Sequence, residues 1–182
     1  MLKLERSRYL LKILGNASLI ILFSLLQISF FTILPWPFNY FNLILSVVFF
    51  ITIILNYGMG LWFAVSAGLI LDLFSFLNFG TLTISLLLTV IAVNFLFDNF
   101  FTNKSLYSLI ILGFLGNLVY IIILLVFNFA YFIFGINNNL NKFFTLSNFY
   151  GLLWQFFFNI LLLSALFLIF NFLSKKLKSV FY

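Results

Sequence analysis

The sequence predicts an all-α integral membrane protein, a compact bundle of about six transmembrane helices with both termini in the cytoplasm. Three observations carry this. Of 182 residues, 65% are hydrophobic and only 7% charged. Soluble domains run near 25% charged, so the surplus apolar surface has to face lipid, and a mean hydropathy of +1.28 agrees. The apolar residues also fall in long runs of the kind that cross a bilayer. The formal charge of +6 gathers at two places, Lys3, Arg6, Arg8 and Lys12 at one terminus and Lys175, Lys176 and Lys178 at the other. Such flanks orient spans and meet anionic headgroups. Without a soluble domain to present them, they do not make a nucleic-acid site.

One transmembrane domain, 1–182, is expected, with spans at 13–34, 41–55, 59–77, 81–97, 106–134 and 149–173. The basic start resembles a leader, but its apolar run is too long and Pro35-Trp36-Pro37 offers no small-x-small cleavage site, so the first span is retained. Ser24 and Gln27 give it a modest polar face. The prolines stop it, and Trp36 and Tyr40 fall where an outer aromatic belt would lie. The second run, 41–55, is short for a crossing and is expected to draw in Asn42 or to tilt little. Asn56-Tyr57-Gly58 and Asn78-Phe79-Gly80 read as tight turns, and 98–105, with Lys104, as a polar linker. The fifth span carries Gly113, Gly116, Asn117 and Tyr120 on one face. An Asn-rich loop at 135–146 follows, and the sixth span carries Gly151, Gln155 and Asn159 at steps of four.

An even number of spans tests well against the charges. Both termini inside leave Lys3, Arg6, Arg8, Lys12, Lys104, Lys175, Lys176 and Lys178 cytoplasmic and Lys142 alone outside, as the positive-inside rule asks. Five spans would strand a basic terminus outside. With turns this short, all backbone polar groups are expected to be satisfied within helices.

The third span is the distinctive one. Gly60, Ala64, Gly68 and Asp72 recur at steps of four, a narrow small-residue stripe ending in an acid. The stripe fits packing within the chain or against a partner's helix. An acid inside a span is a functional candidate by default. Asp72 can be an anchor that caps the turn at 78–83 or bonds Ser75, a contact for a partner, or a proton or ion site. No basic residue lies within any span, so no buried ion pair is open to it inside this chain.

Catalysis is not expected. The chain has no cysteine and no histidine, which removes thiol, imidazole and the usual zinc chemistry. Its acids are Glu5, Asp72 and Asp98, and the last two fall near opposite membrane faces, too far apart for a carboxylate pair. No cofactor or metal is expected either.

The run Gly68-Leu-Ile-Leu-Asp72-Leu-Phe-Ser75, followed by Phe79-Gly80 and another apolar helix, resembles the rod shape-determining protein MreD family of bacteria. Gly68, Asp72, Ser75 and Gly80 match the family signature in place. Phe79 and Leu82 stand where the family carries a proline-like and a polar residue, and Phe41-Asn42 where it tends to a Pro-Asp start. The resemblance implies a non-enzymatic scaffold of cell-wall elongation in the bacterial cytoplasmic (inner) membrane. It implies binding to a single-span MreC-like protein and, through it, to MreB-like filaments and a RodA–transpeptidase synthase pair. It also implies a fold similar to the substrate-binding subunits of energy-coupling-factor transporters, and such a subunit is the alternative function. The Ala-x-x-x-Ala pattern those subunits present on their first helix is missing here, since Ala17 is followed four residues on by Ile21.

Overall fold

The computed structural model describes residues 2–101, 104–134 and 146–180, with side chains described for 15–101, 104–134 and 150–174. Among these every regular element is helical. Helix α1 (Leu2–Ser29) runs into two short 3-10 turns, Phe31–Ile33 and Phe38–Tyr40. Then come α2 (Leu43–Phe50), which continues as a π-helical turn over Ile51–Leu55, α3 (Tyr57–Phe74), α4 (Thr81–Phe100), α5 (Leu106–Ile133) and α6 (Leu146–Val180). Five of these carry apolar windows long enough to cross a membrane, and the Leu43–Leu55 helix is shorter. The chain is a multi-pass helical membrane protein.

Local chemistry sets most boundaries. Asn42, Asn56 and Ser105 each accept a hydrogen bond from an amide of the turn they precede, the N-cap role for short polar side chains. Ser105 and Ser108 form a reciprocal capping box at the start of α5. Gly80 precedes α4 with φ +90°, a left-handed conformation that glycine adopts without steric cost.

The short helix is the hub. Every residue from Leu43 to Phe49 is buried, which accounts for a sequence apolar on all sides. Helices α1, α3, α4, α5 and α6 all pack around it. At its π-helical end, the Lys104 ammonium from the segment before α5 donates to the Ile54 carbonyl at 2.8 Å, placing a cation where the helix dipole is negative.

Several boundaries differ from the sequence reading. Helix α3 ends at Phe74, not residue 77, so the connection to α4 spans 75–80. Helix α4 runs on through Asp98 to Phe100 instead of stopping at 97. An acid at a helix end near the membrane boundary is solvated there and breaks nothing. The basic residues 175–178 continue α6. Asn42 caps α2 from outside and is not drawn into it. Of the loop expected at 135–146, residues 135–145 with Lys142 lie outside the described residues, and Leu146 instead opens α6.

Candidate functional site

The acid and stripe of α3 form one unit with the start of α4. The Asp72 carboxylate is buried, 4% exposed, and accepts from the Leu82 amide at 2.9 Å, the Thr83 amide at 3.0 Å and the Thr83 hydroxyl at 2.5 Å. These amides belong to the first turn of α4, where backbone donors have no intrahelical partner. Gly80, at the N-cap position, has no side chain to offer them. Asp72 therefore caps α4 from the neighbouring helix, with its negative charge at the positive end of the dipole. Of the roles open to Asp72, the turn anchor is the one the geometry displays. Ser75 plays a different part from the one expected. Its amide and hydroxyl both reach the Asp72 backbone carbonyl at 3.4 Å, not the carboxylate.

The stripe brings the helices close enough for this cap. A Cβ at Gly68 would lie 2.6 Å from the Thr83 Cα. A Cβ at Gly60 would lie 2.1 Å from the Thr52 hydroxyl oxygen and 3.0 Å from the Thr52 Cα, on the π-helical turn. Ala64 between them is fully buried. The chain's own helices thus cover the whole row of small residues, and a partner's helix cannot lie on it. Gly68→Ala is expected to destabilise by about 1–3 kcal/mol, the usual cost of overpacking, because the obstacle is backbone and has to move. Reversible unfolding in mixed micelles measures it, and an unchanged midpoint would contradict the packing described.

Across the α3–α4 connection, the Tyr131 and Thr81 hydroxyls are 2.9 Å apart and tie α5 to the start of α4. Ser85 and Thr89, further along α4, bond carbonyls four residues back on their own helix.

A second polar cluster lies half-way through the bundle. Asn159 donates from Nδ2 to Asn117 Oδ1 at 2.7 Å, and Asn117 donates to the Gly113 carbonyl. Asn159 Oδ1 accepts the Asn42 amide at 3.3 Å. The Gln27 side chain donates to the Phe41 carbonyl at 2.9 Å and accepts the Leu43 amide at 2.8 Å. Asn117 stands eleven residues into α5, about 16 Å from its start at 1.5 Å per residue. The break before α2 therefore sits deep in the apolar layer. The expectation that helices alone satisfy the backbone is corrected here. Irregular backbone at this depth is tolerated where protein surrounds it and supplies partners, and Gln27 and Asn159 are those partners.

Above this cluster the 30–41 segment is wedged against α6. Phe31 stacks on Phe41 at 4.4 Å, Phe38 and Phe41 both meet Phe158, and Trp36 meets Trp154 edge-on. Gly151 leaves room for the Tyr40 ring, which would sit 2.1 Å from a Cβ there. Gln155 is half-buried and makes no hydrogen bond among the described residues. Ser24 is completely buried, and its hydroxyl has no partner among those residues. The cluster's depth could not be found from sequence, because Gln27 and Asn159 are remote from the backbone they serve. The Asp72 cap was closer to hand, with an acid ending one helix and a glycine opening the next.

Comparison with models of known families, with curated proteins and with solved structures finds no match to this chain.

Proposed function

We propose that this protein is a non-enzymatic scaffold of the bacterial cell-wall elongation machinery, seated in the inner membrane with both termini cytoplasmic. On this reading it acts by holding a single-span MreC-like partner and, through it, filaments and a wall synthase. The observation that carries the proposal is that the four residues of the resemblance form one structural unit. Gly68 lets α4 approach, Asp72 caps it, Ser75 closes the end of α3, and Gly80 turns the chain. A signature devoted to shape suits a protein that presents surfaces and does no chemistry of its own. The basic flanks support the orientation.

The alternative, a substrate-binding subunit of an energy-coupling-factor type transporter, draws on the broken backbone at mid-depth, a feature that solute carriers use for binding. Weighing against it, the amides beside that break bond one another and the backbone. Depleting the protein in a rod-shaped host is expected to widen or round the cells, and affinity purification is expected to bring down a single-span partner. Unchanged cell width would sink the scaffold. A small molecule retained through purification and identified by mass spectrometry would favour the carrier.

A further inference from the structure

We infer that an aromatic corner made by Trp36, Trp154 and Phe157, at the end of the bundle away from both termini, receives a quaternary ammonium group. Trp154 is the shared member. One face of its indole is covered by Phe158, whose ring lies 5.5 Å away at 26° and is buried. Trp36 and Phe157 stand nearly at right angles to that indole, at 6.3 Å and 81° and at 5.9 Å and 90°. They are 62% and 55% exposed, so the corner opens outward. Its spacing fits a cation. An ammonium held about 4.5 Å above each of two perpendicular rings needs ring centres about 6 Å apart, within the range over which a ring face attracts positive charge.

Two elements build the corner. Residues 154, 157 and 158 share one face of α6 by their steps of three and four. The 30–41 segment brings Trp36 to that face, anchored by the Tyr40 ring in the space left at Gly151. Asn39 is exposed beside it, a polar side chain at the level where amphipathic indoles settle. The chemistry of the corner selects its occupant. Of the three acids in the chain, Asp72 is buried and spent on α4. Glu5 and Asp98 lie on the far ends of α1 and α4 from this segment. Ring faces are then what a cation meets here. A metal ion or a primary ammonium would give up tightly held water for rings that offer it no acceptor lone pair. A quaternary ammonium holds its water weakly and carries methyl groups that pack on the rings.

The test uses the full chain in maltoside micelles. Trp62, 78% exposed on α3, is replaced by Phe so that fluorescence reports Trp36 and Trp154. Choline is expected to shift the emission saturably and to bind about fivefold more tightly than the neutral alcohol in which a tert-butyl group replaces the trimethylammonium. This comparison needs no change in the corner itself. Trp154→Phe keeps a ring with a weaker face and should reduce choline affinity about threefold, leaving the neutral alcohol unaffected. Lysophosphatidylcholine, set against lysophosphatidylglycerol of the same chain, identifies the source. Binding tighter than that of free choline assigns the corner to a lipid headgroup, and binding no tighter assigns it to a free solute; the ammonium is recognised in both cases. Equal affinity for choline and the alcohol would mean that the corner takes any bulky apolar group. No saturable shift with choline or with lysophosphatidylcholine would mean that the rings only pack. Either result overturns the inference. Neither touches the scaffold reading, which cell width decides.

Discussion

Asp72→Ala is expected to lower stability by about 3–5 kcal/mol, among the largest effects of any single side chain here. Three donors lose their acceptor together, two of them backbone amides in a water-poor interior where no solvent takes over. Asp72→Asn separates the contributions. Its Oδ1 still accepts from one amide, while its Nδ2 now faces a donor, so about half the loss is expected. Reversible unfolding in mixed micelles gives both values. Hydrogen exchange then locates the damage, with amides 81–84 losing protection first and those of α5 keeping theirs. A variant lacking the carboxylate that matched wild type in both would show the cap to be dispensable. If Asn also sustains normal cell width, the acid serves geometry and its charge serves nothing further.

Gln27→Leu is the second large effect, about 2–4 kcal/mol, from orphaning the Phe41 carbonyl and the Leu43 amide at mid-depth. Leucine fills nearly the same volume, so packing changes little and the loss reports the two hydrogen bonds. Exchange at the Leu43 amide should quicken while α4 stays protected, the opposite pattern to Asp72→Ala. Pairing it with Asn159→Leu tests whether the two side chains hold one segment. Because they bond adjacent residues, the double variant should lose less than the two single losses added together. Full additivity would mean that the break is held at two independent points.

Much of the architecture could be read from composition because lipid imposes so strict a rule. A run of apolar residues must be helical to cross, and Pro35, Asn56 and Gly80 punctuate those runs where the chain turns. What sequence conceals is the depth at which a run starts. Residues 41–55 looked like a short span, and hydropathy does not distinguish a helix that begins at the surface from one that begins half-way in. The distinction depends on Gln27, fourteen positions before Phe41, and Asn159, well over a hundred after Asn42, and periodicity carries no trace of such pairings. The stripe on α3 was visible for a similar reason to the spans, since steps of four are local. Its neighbours Thr52 and Thr83 are set by tertiary packing, and so whether a partner or the chain itself filled it could not be settled. The ends of α3 and α4 moved by one turn because Asp98 and Ser75 are compatible with either side of a helix boundary.

The length of the central helix bears on how the protein enters its membrane. Leu43–Leu55 covers thirteen residues, about 20 Å at helical rise, against a hydrocarbon layer of about 30 Å. Alone in lipid it would leave the polar backbone at its start unpaired, and mismatch would press on it from both sides. Asn56 is the only residue between its last turn and α3, so the two can partition as one hairpin, the long member carrying the short one. The short member gains its hydrogen-bond partners when α1 and α6 close around it. Since α6 is made after the other described helices, the hub is completed only once it arrives. A chain truncated before α6 would hold its other spans in place while its centre stayed unfinished.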